Sequence, residues 1–194
     1  MISAIILAAG RSKRMGSPKL VLRWGETTVI GKVIDTLVKA GINDLHVVTG
    51  GNHRELEKAL SGYQVDFIFN PLFANGDMMT SIQLGLKGLP DNSDGALIVL
   101  GDQPQIEAKT VDLLIQGYLN TKQKIIVPSY KMHRGHPILI DRSLHSLILE
   151  LHSPKTLKVF LNANQALIYH VNVDSSTILE DVDTPADYYQ FRPG

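Results

Sequence analysis

The chain of 194 residues contains no cysteine and no excess of either charge, with 19 basic and 19 acidic side chains. The missing cysteine excludes a disulfide scaffold and any zinc or redox site built on thiolates, and it fits a reducing, cytoplasmic compartment. The missing net charge argues against nucleic acid as a partner. No apolar run approaches the roughly 18 residues that span a membrane, so we expect no membrane association. Basic residues follow the first apolar stretch, which is the wrong order for a secretory signal.

Short apolar segments alternate along the chain with longer segments of helical periodicity. Residues 3–7 and 96–100 are nearly continuous apolar runs, which suit strands covered on both faces. Weaker strand candidates lie at 45–49, 65–69 and 125–127. The alternation predicts a single domain, 1–194, of the α/β class, with helices on both faces of a mostly parallel sheet in three layers. Ligands of such sheets lie beyond the carboxyl ends of the strands.

Three patterns predict where helices begin. An apolar stripe over 27–40 predicts an amphipathic helix. Asn52, with Glu55 three residues later, resembles a capping box at the start of a second helix. Thr184 and Asp187 form a similar pattern ahead of the last helix, so the chain is predicted to end in a capped helix.

The segment after the first strand concentrates positive charge. Arg11, Lys13, Arg14 and Lys19 put four cations within nine residues with no acid among them, and phosphate is the natural partner of such a loop. The segment is not a P-loop, because no Gly-Lys-Ser/Thr follows, and it lacks the Gly-x-Gly-x-x-Gly dinucleotide fingerprint. A solvated basic loop is the alternative interpretation.

Five short motifs follow one another in order along the chain. They are LAAG-x3-RMG-x-PK over 7–19, Asn70-Pro71 with Gly76 and Ser81, GDQP over 101–104, RGHP over 134–137 and DVDTP over 181–185. In these motifs the chain resembles the MobA-like nucleotidyltransferases over nearly its whole length, and within them it is most similar to the molybdenum cofactor (molybdopterin) cytidylyltransferases. The resemblance implies a Rossmann-like nucleotidyltransferase fold and a Mg²⁺-dependent transfer from a nucleoside triphosphate to a phosphomonoester, with release of pyrophosphate.

The resemblance also implies roles for individual residues. Lys19, Arg14 and Asp102 would be catalytic, and Asp102 and Asp183 would bind Mg²⁺. The nucleotide would be bound by Leu7, Ala8, Ala9, Gly10, Arg11, Ser12, Asn70 and Ser81. A molybdopterin-type acceptor would be bound by Gln103, Pro104, Arg134, Gly135, His136 and Pro137. CTP is favoured, because the guanylyl-transferring relatives typically have Gly where Ala9 stands. The resemblance also allows a molybdoenzyme as a protein partner.

Several of these residues have simpler interpretations that stay open. Gly-Asp is ordinary turn chemistry at Asp102, and Ser81 could cap a helix instead of binding a ligand. Asp181 is the alternative to Asp183 as the second metal ligand, since residues two apart in an extended segment point the same way. Residues 134–137 could form a plain hairpin turn.

Residues 151–157 depart from the resemblance, because the relatives commonly carry a Gly-Asp-x-Gly-like loop at this place. The identity of the acceptor therefore stays open. Two alternative functions follow: a guanylyl- or sugar-phosphate nucleotidyltransferase of the same fold, and a non-catalytic accessory protein that delivers the cofactor to a molybdenum hydroxylase. Lys19, Asp102 and Asp183 argue against the accessory protein, which needs no apparatus for a metal and a triphosphate.

Overall fold

The computed structural model describes residues 1–12, 14–74, 77–152 and 155–193. Its strands are β1 (Ile2–Ala8), β2 (Arg23–Trp24), β3 (Thr27–Thr28), β4 (Asp44–Thr49), β5 (Asp66–Phe69), β6 (Gly95–Leu100), β7 (Ile125–Tyr130), β8 (His133–Arg134), β9 (Ile138–Asp141) and β10 (Ile168–Asn172). Its α-helices are α1 (Val29–Lys39), α2 (His53–Ala59), α3 (Met78–Gly88), α4 (Ala108–Asn120), α5 (His145–Leu149), α6 (Leu157–Ala163) and α7 (Pro185–Phe191). Within these ranges, each helix is too short or too polar to cross a membrane.

The main sheet has the strand order β10-β7-β9-β6-β1-β4-β5, with β8 paired to β7. Parallel pairs join β1 to β4 and β6, β4 to β5, and β10 to β7. Strand β9 runs antiparallel between β6 and β7, and β8 is antiparallel to β7. The predicted α/β class with a mostly parallel sheet is confirmed.

Apolar side chains leave the sheet on both faces, because successive residues of a strand point to opposite sides. Val99 of β6 belongs to a buried cluster with Val33 of α1 and Leu114 of α4. Its neighbour Ile98 belongs to the opposite cluster, with Ile82 of α3 and further residues of α5 and α6. Two layers of helices therefore cover one sheet, as the continuous apolar run at 96–100 predicts.

Helices begin at all three places that the sequence patterns predict, but one of the predicted caps does not form. The helix expected over 27–40 is confirmed as α1. Asn52 precedes α2, but within the described residues its side chain makes no capping hydrogen bond, so the box expected with Glu55 is wrong. At α7, Thr184 accepts from the backbone of Asp187 and Asp187 accepts in return, which forms the full capping box.

Strands β1 and β6 end side by side, since Leu7 pairs in register with Leu100. The N–H of Gly101 donates to the carbonyl oxygen of Leu7 at 3.0 Å. A Cβ at Gly101 would lie 2.9 Å from that oxygen, so only glycine allows this approach. The turn that carries Asp102 is thereby fixed against the end of β1.

Candidate active site

A pocket of about 580 Å³ opens at the carboxyl ends of β1 and β6. It contains the three predicted catalytic residues, Lys19, Arg14 and Asp102, together with Asp183. Its lining also includes the following predicted nucleotide residues: Leu7, Ala9, Gly10, Arg11, Ser12, Asn70 and Ser81. Ala8 does not contribute, because its side chain is buried in the core at the end of β1. Four of the five sequence motifs, from distant parts of the chain, thus meet in one pocket.

Lys19 lies between the two predicted metal ligands. Its Nζ donates to Oδ2 of Asp102 at 2.6 Å and to Oδ1 of Asp183 at 2.7 Å, and its side chain is only 11% exposed. Burial alone would lower the pKa of Lys19, but the two carboxylates outweigh burial and raise that pKa above its ordinary value. Lys19 is therefore a fixed ammonium cation at neutral pH.

Asp183 is held by a second cation and by the first turn of α7. Nη2 of Arg14 lies 2.8 Å from Oδ2 of Asp183. Burial acts to raise the pKa of Asp183, but Lys19 and Arg14 together hold it below its ordinary value. The backbone N–H of Asp183 donates to the carboxylate of Asp187 at 3.1 Å, so the capping box of α7 also positions this residue.

Asp181 lies in the same pocket with a different partner. Nε2 of Gln103 donates to Oδ1 of Asp181 at 2.6 Å, and the N–H of Val182 donates to the carbonyl oxygen of Asp102 at 2.9 Å. Burial raises the pKa of Asp181, and the nearby Asp102 and Asp183 add to that rise. Asp181 and Asp183 both line the pocket, as their spacing predicts.

The donor set in the pocket fits Mg²⁺. Magnesium is usually bound by one or two carboxylates together with substrate phosphates. Asp102 and Asp183 present carboxylate oxygens to the same point, which the ammonium group of Lys19 fills. Arg11 and Arg14 bring further cations to the same pocket, so a triphosphate and its metal would both find partners of opposite charge.

A second group of candidate metal ligands lies at the opposite edge of the sheet. Asp44, His46 and Asp66 offer ligand atoms that lie within 4.8 Å of one another, at the amino ends of β4 and β5. The two ring nitrogens of His46 face different carboxylates, with Nε2 3.2 Å from Asp44 and Nδ1 3.8 Å from Asp66. The sequence reasoning missed this trio, which the parallel pairing of His46 with Asp66 brings together.

The cationic loop is folded into turns. Ser12 has φ of 47° and Gly16 has φ of 67°, a left-handed conformation that favours glycine. The Oγ of Ser12 accepts from the N–H of Lys19 at 3.3 Å, and its carbonyl oxygen accepts from the N–H of Met15 at 3.0 Å. Ser12 therefore links the two ends of the loop, while Lys13 lies outside the described residues.

Residues from the segment 70–81 complete the pocket. The carboxylate of Asp77 accepts from the N–H of Thr80 and caps α3, so the alternative in which Ser81 is the N-cap is wrong. Phe73 and Met78 also line the pocket, and neither was predicted. Their signal in the sequence is weak, because only the structure shows that Met78 faces the ligand space. Gly76, part of the second motif, lies outside the described residues.

Among the described residues, the six predicted acceptor contacts do not line this pocket. They are Gln103, Pro104, Arg134, Gly135, His136 and Pro137. Gln103 is buried and hydrogen-bonded to Asp181, and Pro104 lines a separate surface cavity. Nη1 of Arg134 binds Oδ1 of Asn162 at 3.2 Å. Their role toward an acceptor therefore stays a prediction.

The segment 134–137 is neither a hairpin turn nor strongly cationic. The turn between β7 and β8 is made by Lys131 and Met132, which have φ of 47° and 69°. Burial lowers the pKa of His136 to about 4, so its ring is neutral at pH 7. The hairpin-turn alternative is wrong because the chain has already reversed before Arg134. Ser153 and Pro154, in the segment that departs from the relatives, lie outside the described residues.

The MobA-like NTP transferase domain matches residues 4–167 of this chain, which is well over half of its length. The chain belongs to this family. It is therefore a nucleotidyltransferase with the expected three-layer fold, and the resemblance inferred from the five motifs is confirmed.

Two relatives match this MobA-like chain over almost its full length. It is 29% identical to the molybdenum cofactor cytidylyltransferase of Escherichia coli K12, over 96% of this chain and 93% of that protein. The crystal structure of Rv0371c from Mycobacterium tuberculosis H37Rv superposes with a TM-score of 0.85 at 28% identity, covering 97% of this chain and 96% of that one. A manganese complex of the same mycobacterial protein superposes with a TM-score of 0.80 at 27% identity, covering 98% and 97%.

Proposed function

We propose that this enzyme is a CTP:molybdopterin cytidylyltransferase that forms the dinucleotide form of the molybdenum cofactor. The observation that carries the proposal is the ammonium group of Lys19 between Asp102 and Asp183, in a pocket lined by the cationic first loop. Similarity to the Escherichia coli cytidylyltransferase supports the choice of nucleotide and acceptor. Ala9 lines the pocket. The guanylyl-transferring relatives typically have Gly at this position, so Ala9 also supports CTP over GTP.

The proposed reaction is an in-line displacement at the α-phosphorus. An oxygen of the acceptor phosphate forms a bond to the α-phosphorus, and the bond from that phosphorus to the bridging oxygen breaks, so pyrophosphate leaves with the electron pair. A phosphomonoester has a second pKa of about 6, so the acceptor is already largely dianionic at pH 7. The protein therefore has no proton to remove from the nucleophile, and its task is to position and to neutralise charge.

Each pocket residue has a place in this scheme. Asp102 and Asp183 would hold Mg²⁺, which supplies positive charge to the phosphate oxygens. Lys19 and Arg14 would neutralise the charge that builds on the leaving pyrophosphate. Small residues at 8–10 would let backbone groups approach the nucleotide. Residues 103–104 and 134–137 would serve the acceptor, directly or through the segment that carries Asp181.

The decisive assay is pyrophosphate release with each of four nucleoside triphosphates, with and without molybdopterin. We expect release only with CTP, molybdopterin and Mg²⁺ together. Asp102→Asn should abolish it, whereas Asp174→Asn, at a carboxylate that is 99% exposed, should not. Full activity of Asp102→Asn at saturating Mg²⁺ would contradict the metal role. Release with GTP instead would identify a guanylyltransferase, and cofactor binding without any release would identify an accessory protein.

A further inference from the structure

Asn70 and Ser81 form a hydrogen-bonded pair in the wall of the pocket. Asn70 is 1% exposed and Ser81 is 5% exposed, yet both contribute to the pocket lining. Nδ2 of Asn70 donates to Oγ of Ser81 at 3.0 Å. On its other side, Oδ1 of Asn70 accepts from the backbone N–H of Leu72 at 2.9 Å. Both ends of the Asn70 amide are therefore engaged.

The direction of these hydrogen bonds follows from chemistry alone. A backbone N–H can only donate, so the atom of Asn70 that faces Leu72 is the oxygen. The nitrogen then faces Ser81, and the hydroxyl oxygen of Ser81 must accept. A serine hydroxyl has a single hydrogen, which this arrangement leaves for a different acceptor.

That hydrogen has no acceptor in the described part of the chain. A helical serine often donates back to the carbonyl four residues earlier, which is Asp77 here, but Ser81 makes no such bond. A buried polar group normally has a hydrogen-bond partner. The pocket is the space that Ser81 lines, so the missing acceptor belongs to whatever binds there.

We infer that Asn70 is a positioning residue that makes Ser81 a fixed hydrogen-bond donor to an uncharged acceptor atom of the bound nucleotide. The acceptor is a carbonyl or ring nitrogen of the base, or an oxygen of the sugar. The same segment adds the apolar Phe73 and Met78 to the pocket, whereas the cations come from residues 11–19. This contrast assigns the nucleoside to the pocket wall formed by Asn70, Phe73, Met78 and Ser81, and the phosphates to the cations of the first loop. The inference rests on the proposed function, since it takes a nucleoside triphosphate as the ligand.

Asn70→Asp tests the direction of the relay without changing its shape. An aspartate still accepts from Leu72, but its second oxygen also accepts, so the Ser81 hydroxyl must turn and donate to it. The pocket then loses its donor, just as it does in Ser81→Ala. We expect each variant to bind CTP on the order of tenfold more weakly in calorimetry at pH 8.

The double variant separates this effect from the added negative charge. If Asn70→Asp acts through the hydroxyl, it weakens CTP binding in the wild-type background but not in the Ser81→Ala background. An equal loss in both backgrounds would overturn the inference, and so would unchanged CTP binding by Ser81→Ala. Thr80→Ala removes a hydroxyl from the same helix outside the pocket and should bind CTP normally. Thermal unfolding of every variant checks that it is folded.

A second ligand identifies the acceptor atom. If the loss in Ser81→Ala is confined to CTP and absent for 2′,3′-dideoxy-CTP, the acceptor is a sugar hydroxyl; an equal loss for both places it on the base or on the ring oxygen of the sugar. Either result supports the donor role. If the wild type binds no nucleoside triphosphate at all, the proposed function fails with it, whereas binding that ignores Ser81 rejects this inference alone.

Discussion

If Asp102 and Asp183 bind the metal as proposed, Lys19 and a metal ion compete for the same two carboxylates. With its Nζ 2.6 Å from Asp102 and 2.7 Å from Asp183, the ammonium group fills the point at which both residues could bind a cation. Mg²⁺ or Mn²⁺ can bind both carboxylates only if Lys19 moves, and the phosphates of a nucleotide are its natural new partner. We therefore expect the nucleotide-free protein to bind divalent metal weakly, and Lys19→Ala to bind it more tightly.

The size of the effect follows from the two contacts. A hydrogen bond to a charged group contributes about 1.5–3 kcal/mol. Part of this is regained when the displaced ammonium reaches water, so removal of Lys19 should strengthen Mn²⁺ binding by about 2 kcal/mol, or roughly thirtyfold. Turnover should move the other way, by about a hundredfold or more, because the leaving pyrophosphate loses a cation that was already in position.

Electron paramagnetic resonance of free Mn²⁺, titrated into nucleotide-free protein, measures the first effect without any catalysis. Pyrophosphate release measures the second. Lys109→Ala is the matched control, since its Nζ is 3.8 Å from the exposed Asp174 and outside the pocket. Equal or weaker Mn²⁺ binding by Lys19→Ala would refute the competition, whatever happens to turnover.

Two further predictions concern stability. Gly135→Ala would put a Cβ into steric clash with the backbone carbonyl oxygen of Ile178, so urea unfolding should show that the variant loses about 1–3 kcal/mol of stability. Gly62→Ala, whose Cβ meets open space, should stay within about 0.5 kcal/mol of wild type. Burial acts to raise the pKa of Asp141, but hydrogen bonds from Ser143, Tyr118 and Lys124 lower that pKa to about 2. This pKa is below the unfolded value, so Asp141 stabilises the fold at higher pH: Asp141→Asn should cost about 2 kcal/mol at pH 7, and the difference should shrink as pH falls from about 4 to 2.

The strands that the sequence predicts best are those whose surroundings are simplest. β1 and β6 are covered on both faces, so their apolar runs are continuous and their positions follow directly. β9 escaped prediction, because its residues 138–141 are short and nothing local indicates that they insert antiparallel between β6 and β7. β10 escaped prediction for a different reason, because it is an edge strand whose exposed positions obscure its apolar pattern.

The charges of the site were predicted better than their pairing. The cations of 11–19 and the acids of 181–183 could be recognised from composition, and strand ends indicated a shared edge. That Lys19 lies between Asp102 and Asp183 depends on residues 83 and 164 positions apart. Gln103 and Asp181 are likewise 78 positions apart in sequence. Such pairs are fixed by the course of the chain through the whole sheet, which no local pattern encodes.

The Arg-Gly-His-Pro segment has a structural role that bears on the proposed metal ligands. The N–H of His136 donates to the carbonyl oxygen of Ile178 at 3.1 Å, and the missing side chain of Gly135 is what allows Ile178 so close. Ile178 comes three residues before Asp181, and further along the same segment the N–H of Val182 donates to the carbonyl oxygen of Asp102. The motif thus clamps one end of the acidic segment, while the capping box of α7 clamps the other. A change at Gly135 should therefore alter metal binding as well as stability, although Gly135 does not line the pocket.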